Sequence, residues 1–130
     1  MTKLMGIDFG TKRVGVALSD ETSQYAFPHA VIENIGMTRV VDEIVKICQA
    51  ENVSQIVLGE SRGFDGKEND IMKKVHKFKS ELQSKLSVPI VLEPEFMTSA
   101  EAGRLQGSRS DLLDASAAAL ILKSYIDKNK

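Results

Sequence analysis

The stretch from Met5 to Asp20 reads MGIDFGTKRVGVALSD. Residues 4–9, LMGIDF, form an apolar run suited to a central strand, broken by one acid, Asp8. Gly10, Thr11 and Lys12 make a turn, in which Gly10 can take a positive φ at little cost. Residues 13–19, RVGVALS, then alternate. Val14, Val16 and Leu18 share one face, and Gly15, Ala17 and Ser19 share the other. The two segments predict a β-hairpin with one small-residue face on which another element can pack closely. An acid in such a strand needs a partner, a metal or water.

Working outward, a third strand is expected at Ala30 to Glu33. Thr38 is the expected cap of a helix that carries Asp42 and Glu43 in its first turns. Val40, Val41, Ile44, Ile47 and Cys48 recur on it at helical spacing, and Asn52 ends it. Residues 55–59, QIVLG, predict a buried strand, and residues 60–69, ESRGFDGKEN, a loop. A long helix follows over Asp70 to Leu86, with Ile71, Val75, Phe78, Leu82 and Leu86 as its apolar stripe. Residues 88–92, VPIVL, predict another strand. Thr98 caps an expected short helix over Ser99 to Gln106, and Ser110 caps the last helix, to Ile126. Hairpin first and strand–helix alternation afterwards predict an α/β fold, a mixed sheet with helices on its faces.

The 130 residues suit one domain, 1–130. With 42% hydrophobic and 27% charged residues the chain reads as a folded, cytoplasmic-type protein. Its 17 basic and 18 acidic residues give a net charge of -1, so bulk charge does not argue for nucleic acid, and any such contact must be local. The single cysteine, Cys48, excludes an internal disulfide and reads as a small buried residue. The N-terminus enters a strand pattern at once, without a leader-like segment. The run Ala115 to Leu122 is too short to cross a bilayer, so no membrane partner is expected.

Several acids sit where chemistry is expected. Asp8 faces away from Ile7 and Phe9. Asp114 lies just inside a nearly all-apolar helix, in LLDASAAALIL, and Asp111 precedes it by one turn. A helix-dipole role suffices for Asp111 but fits Asp114 less well. Glu95 follows VPIVL, with Glu93 and Glu101 nearby; by itself it reads as a solvated loop acid. Glu60 follows QIVLG, at the kind of strand end where ligands meet open α/β sheets. Carboxylates from separate elements, without a Cys/His cluster, suit Mg²⁺ or Mn²⁺. Two such ions about 4 Å apart can activate a water and stabilise the leaving oxygen in phosphodiester cleavage. Lys12 and Arg13 are placed to meet a substrate phosphate, whereas Lys73, Lys74 and Lys77 read as a solvated helix face. His29 and His76 are ordinary, and Met72, Phe78 and Met97 read as core.

GIDFGTKRVGVALSD resembles the opening motif of the YqgF family, named for Holliday-junction resolution and for pre-ribosomal-RNA cleavage. IVLGESRGFDG is similar to the family's strand-plus-loop segment, EPEFMTSAEA to its DER-x-T-T-x-EA stretch, and LLDASAAALILKSYI to its closing helix. The resemblance implies a ribonuclease H-like fold, in which a mixed five-stranded sheet, three antiparallel strands then parallel ones, is flanked by helices. It implies a Mg²⁺- or Mn²⁺-dependent nuclease acting on rRNA precursors or branched DNA. The family's acids fall on Asp8, Glu95 and Asp114, and its basic turn residue on Arg13. Glu60 and Asp111 are secondary candidates, by similarity to RuvC-type resolvases. Two departures stand out. Pro94 and Phe96 flank Glu95 where the family has Asp and Arg, and Glu60 and Ser61 follow Gly59 where it has a proline.

Two other classes are weighed. GIDFGTKRVG also resembles the first phosphate loop of actin- and Hsp70-like ATPases, which need two lobes where 130 residues supply one. A nucleic-acid- or ribosome-binding module without activity is the non-enzyme alternative. Junction resolution would favour a homodimer, because a junction has two-fold symmetry.

Overall fold

The computed structural model describes residues 2–10, 12–61, 70–95 and 110–129, with backbone alone at 60, 61, 70–72, 94, 95 and 110–114. Its strands are β1 (Lys3–Phe9), β2 (Arg13–Ser19), β3 (Ala26–Glu33), β4 (Val53–Ser61) and β5 (Ile90–Glu95). Its helices are α1 (Met37–Glu51), α2 (Asp70–Lys85) and α3 (Ser110–Lys128). One sheet holds all five strands in the order β3-β2-β1-β4-β5. β1, β2 and β3 are antiparallel, and β1, β4 and β5 run parallel. This is the mixed sheet that the hairpin and the later strand–helix alternation predict.

The alternation of β1 and β2 sorts the core onto two faces. Met5, Ile7 and Phe9 join Val14, Val16, Leu18, Ile56 and Leu58 under α1 and α2, whose Val40, Val41, Ile44, Cys48, Val75, Phe78 and Leu82 are buried there. Each such side chain contributes about 1.5–3 kcal/mol by leaving water. The opposite face meets α3. A Cβ on Gly6 would stand 2.7 Å from both the Ala118 carbonyl oxygen and Leu122 Cβ, so only glycine lets the helix come this close. Ala17 and Val57 pack on the same side against Ala118, Ile121, Leu122 and Ile126. The small-residue face is therefore the seat of α3.

Several boundaries differ from the sequence reading. β3 begins at Ala26 instead of Ala30, and Pro28 lies inside it. β3 is an edge strand, where a missing N–H costs little, and the ladder shifts register there, Val16 pairing with Ala30 but Ala17 with Pro28. Thr38 is not the cap of α1. Gly36 is, with φ 152° and no side-chain cap bond, and the first turn holds no acid. Asn52 ends α1 as expected, in the left-handed conformation at φ 55°. β4 runs on to Ser61, and β5 starts after Pro89 and runs on to Glu95. Glu60 and Glu95 are therefore strand residues, not loop acids. The helix expected over Ser99 to Gln106, its cap Thr98, and Met97 lie outside the described residues. Among the described residues no helix is long and apolar enough to cross a membrane.

Candidate active site

Asp8 pairs with Gly15 of β2. On its other side Ile7 pairs with Leu58, which brings Asp8 level with Gly59 of β4. The positions level with Asp8 on the two neighbouring strands are thus both glycines, which carry no side chain of their own. Ile7 and Phe9 are buried on the opposite face, and Asp8 itself is half-buried.

The register carries the same level across to β5. Leu58 pairs with Leu92, Gly59 with Glu93, and Ser61 with Glu95. Position 95 shares the parity of Glu93, and Glu93 meets α3, since it accepts hydrogen bonds from Ser124 Oγ at 3.2 Å and Lys128 Nζ at 2.6 Å. Positions 8, 93 and 95 thus fall on the α3 face. Position 60 has the parity of Leu58 and falls on the other. Glu93, a neighbour of Glu95 that the sequence reading did not single out, is buried and bonded to α3; an acid at an inward parity of a strand was its signal.

α3 supplies the next element. Tyr125 and Ile126 near its C-terminus, and Asn129 just beyond it, line a cleft of about 420 Å³ together with Leu4, at the start of β1. The helix therefore runs back along the sheet, with its N-terminal end at the end of β1. Ala118 abuts Gly6. Position 114 lies one turn before Ala118, and Asp8 lies two residues beyond Gly6, about 6 Å in each case. The backbone of 114 is thus brought to the Asp8 end of the sheet. Position 111 lies a further turn out.

The turn after Asp8 is braced rather than loose. Asn34 Nδ2 donates to the Gly10 carbonyl at 2.8 Å, and the Asn34 N–H donates to the Lys12 carbonyl at 2.9 Å. Gly10 does not use its freedom to take a positive φ. It is required by close approach, because a Cβ there would stand 2.5 Å from the Arg13 carbonyl oxygen. Lys12 is exposed and Arg13, the first residue of β2, is half-buried, both at the Asp8 end of the sheet. Cys48 is far less acidic than an ordinary thiol; burial pushes it up to about 11, which fits packing and not nucleophilic chemistry. Among the described residues no three His, Cys, Asp or Glu side chains gather as a metal site; of the predicted acids this covers the side chain of Asp8.

Comparisons with known proteins identify the family of the chain. A family model described as "RuvX: Holliday junction resolvase" matches residues 2–128. The chain belongs to the RuvX family. This is the YqgF family that the opening motif resembles. A RuvX-type relative from Maridesulfovibrio salexigens, named "Putative pre-16S rRNA nuclease", is 34% identical, covering 95% of this chain and 97% of that protein. A relative of the same name from Desulforudis audaxviator is 33% identical over 98% of this chain and 96% of its own. Among solved structures, Thermus thermophilus RuvC in complex with a Holliday junction substrate superposes with a TM-score of 0.64 at 11% identity, covering 99% of this chain and 96% of that one. The fowlpox virus Holliday junction resolvase gives 0.61 at 16% identity, covering 98% and 99%. These likenesses are of fold, and the fold is ribonuclease H-like.

Proposed function

We propose that this RuvX-family chain is a Mg²⁺- or Mn²⁺-dependent nuclease that hydrolyses phosphodiester bonds in structured nucleic acid, at the ends of pre-16S rRNA or at Holliday junctions. One observation carries the reading. Asp8, the backbone of position 95 and the start of α3 meet at one end of the sheet, on one face. The relatives' names support the RNA substrate, and the family's description supports the junction.

Asp8, Glu95 and Asp114 would hold the metal, with Glu60 and Asp111 as secondary donors. The parity of position 60 favours Glu95 over Glu60 as the middle acid. An all-carboxylate donor set fits a hard cation. The bound metal would activate a water and stabilise the leaving oxygen. Lys12 and Arg13, carried by the braced turn, would hold the scissile phosphate. A cytoplasmic place of action suits an rRNA precursor. A homodimer would suit the two-fold symmetry of a junction.

The test compares the wild type with Asp8→Asn on ribosomal precursor RNA and on four-way DNA junctions, with and without Mn²⁺. Wild-type cleavage should need the metal, and Asp8→Asn should lose at least about 100-fold in rate, a few kcal/mol of barrier. Undiminished cleavage by Asp8→Asn would remove Asp8 from the site. Binding by the wild type without cleavage on either substrate would instead identify a binding module.

A further inference from the structure

α2 presents a basic ridge at the same end of the sheet as the candidate active site, on the other face. Lys73, Lys74 and Lys77 are all exposed, while Val75, Phe78 and Leu82 of the same helix are buried against the sheet. The level of this ridge is set by an aromatic contact. Phe78 lies 4.8 Å, centroid to centroid, from Phe9, and Phe9 directly follows Asp8. α2 starts beyond the end of β4 and packs back towards β5, so the residues before Phe78 lie at the Asp8 end of the sheet.

Among the described residues no ion pair neutralises the charge on this ridge. Among the described residues, ion pairs join Lys3 to Glu51, Lys46 to Glu43, Lys85 to Asp42 and Lys128 to Glu93. None of them includes Lys73, Lys74 or Lys77. Lys85, at the opposite end of α2, is held by Asp42 of α1 at 3.0 Å. Glu81 is one turn beyond Lys77 and forms none of these pairs. Lys73 and Lys77 stand one turn apart, a like-charge spacing that costs an isolated helix about 0.2–0.5 kcal/mol. In a chain with 17 basic and 18 acidic residues this is a local concentration of positive charge.

We propose that Lys73, Lys74 and Lys77 form a second contact surface for the phosphodiester backbone, which seats substrate flanking the scissile bond. The inference rests on the nuclease reading for its substrate class, but concerns binding rather than chemistry. The three lysines stand on the opposite face of the sheet from Asp8 and position 95, at the same end. A duplex or stem laid across that end would touch both.

The test is direct binding, measured in EDTA so that nothing is cut. The wild type and the Lys73→Gln/Lys74→Gln/Lys77→Gln variant are titrated with an RNA stem-loop and with a four-way DNA junction at several salt concentrations. A Lys46→Gln/Lys123→Gln variant controls for general loss of charge, and circular dichroism checks folding. The triple variant should lose on the order of tenfold in affinity, and its salt slope should fall by roughly 2 to 3, about 0.7–0.9 per lost phosphate contact. Loss on both ligands assigns the ridge to the shared backbone, and loss on one supports it and names the source. Equal affinity and slope for wild type and triple variant, an equal loss in the control, or no wild-type binding would each overturn the proposal. Cleavage by the wild type is scored separately. A wild type that binds through the ridge but cuts nothing sinks the nuclease reading and leaves the ridge standing. A triple variant that binds and cuts like the wild type does the reverse.

Discussion

Asp8 shows how much one residue's context can say. Its position in an apolar run already implied that it faces away from Ile7 and Phe9, and both of these are buried on the other face. What flanks it was not legible, because Gly59 reaches its level only through the pairing of β1 with β4. Gly10 was legible as a turn residue, but the reason the turn requires it was not. It is needed because the Arg13 carbonyl sits 2.5 Å from where a Cβ would be. Gly10→Ala should therefore cost about 1–3 kcal/mol, the usual range for overpacking, read as a lower urea midpoint at unchanged m-value. Asp20, which closes the opening stretch, makes a second prediction. Hydrogen bonds from the Thr22 hydroxyl and the Tyr25 N–H, with a further one from the Gln24 N–H, hold its carboxyl down at about 2, against an ordinary 3.8. A depressed folded value means that these bonds stabilise the fold above the unfolded value. That stabilisation is lost as pH falls from about 4 towards 2. A carbon-detected NMR titration should place the Asp20 midpoint near 2, and a midpoint near 4 would contradict the turn geometry.

At the scale of elements, periodicity located every described helix and strand, and erred at their ends. Edges explain much of the error. β3 and β5 are the edge strands, and each holds a proline, Pro28 and Pro94, that a reader of sequence takes as a strand breaker. α1 starts without a side-chain cap, so no local signal marks Gly36 over Thr38. α3 is held at its C-terminal end by a contact between distant elements. The Glu93 side chain is 5% exposed and bonds to Lys128 and Ser124, whereas Lys128 is 53% exposed. Lys128→Met should destabilise by about 1–3 kcal/mol, since it leaves a buried carboxylate with one donor. Lys123→Met, at an exposed position of the same helix, should stay within about 0.5 kcal/mol. Equal losses in denaturant melts would remove the Glu93 contact from the account of how α3 is seated.

At the scale of the whole molecule, the candidate site exists because elements far apart in the chain end at the same place. β1, β4 and β5 run parallel, so their C-terminal ends share one edge, and α3 runs back across the sheet to begin there. Metal binding should then act on the stability of the entire fold. Mn²⁺ at about 100 times its Kd should stabilise the wild type by about 2.7 kcal/mol, read as a raised melting temperature that EDTA reverses. The same addition should leave Asp8→Asn unshifted. An equal shift in both would place the ion elsewhere.

The sequence by itself determined the alternation of β1 and β2, the acid at position 8 facing away from Ile7 and Phe9, the small-residue seat for a helix, and the order of strands and helices. These are local properties, written in periods of two and 3.6 residues. The family resemblance nominated Glu95 and Asp114 from motifs, without saying how they meet Asp8. Only the tertiary structure decided that position 95 shares a face with Asp8 while position 60 does not, that α3 begins at the Asp8 end, and that Phe78 sets the lysines of α2 level with that same end. Strand register and helix direction come from long-range pairing and packing, which no local period encodes.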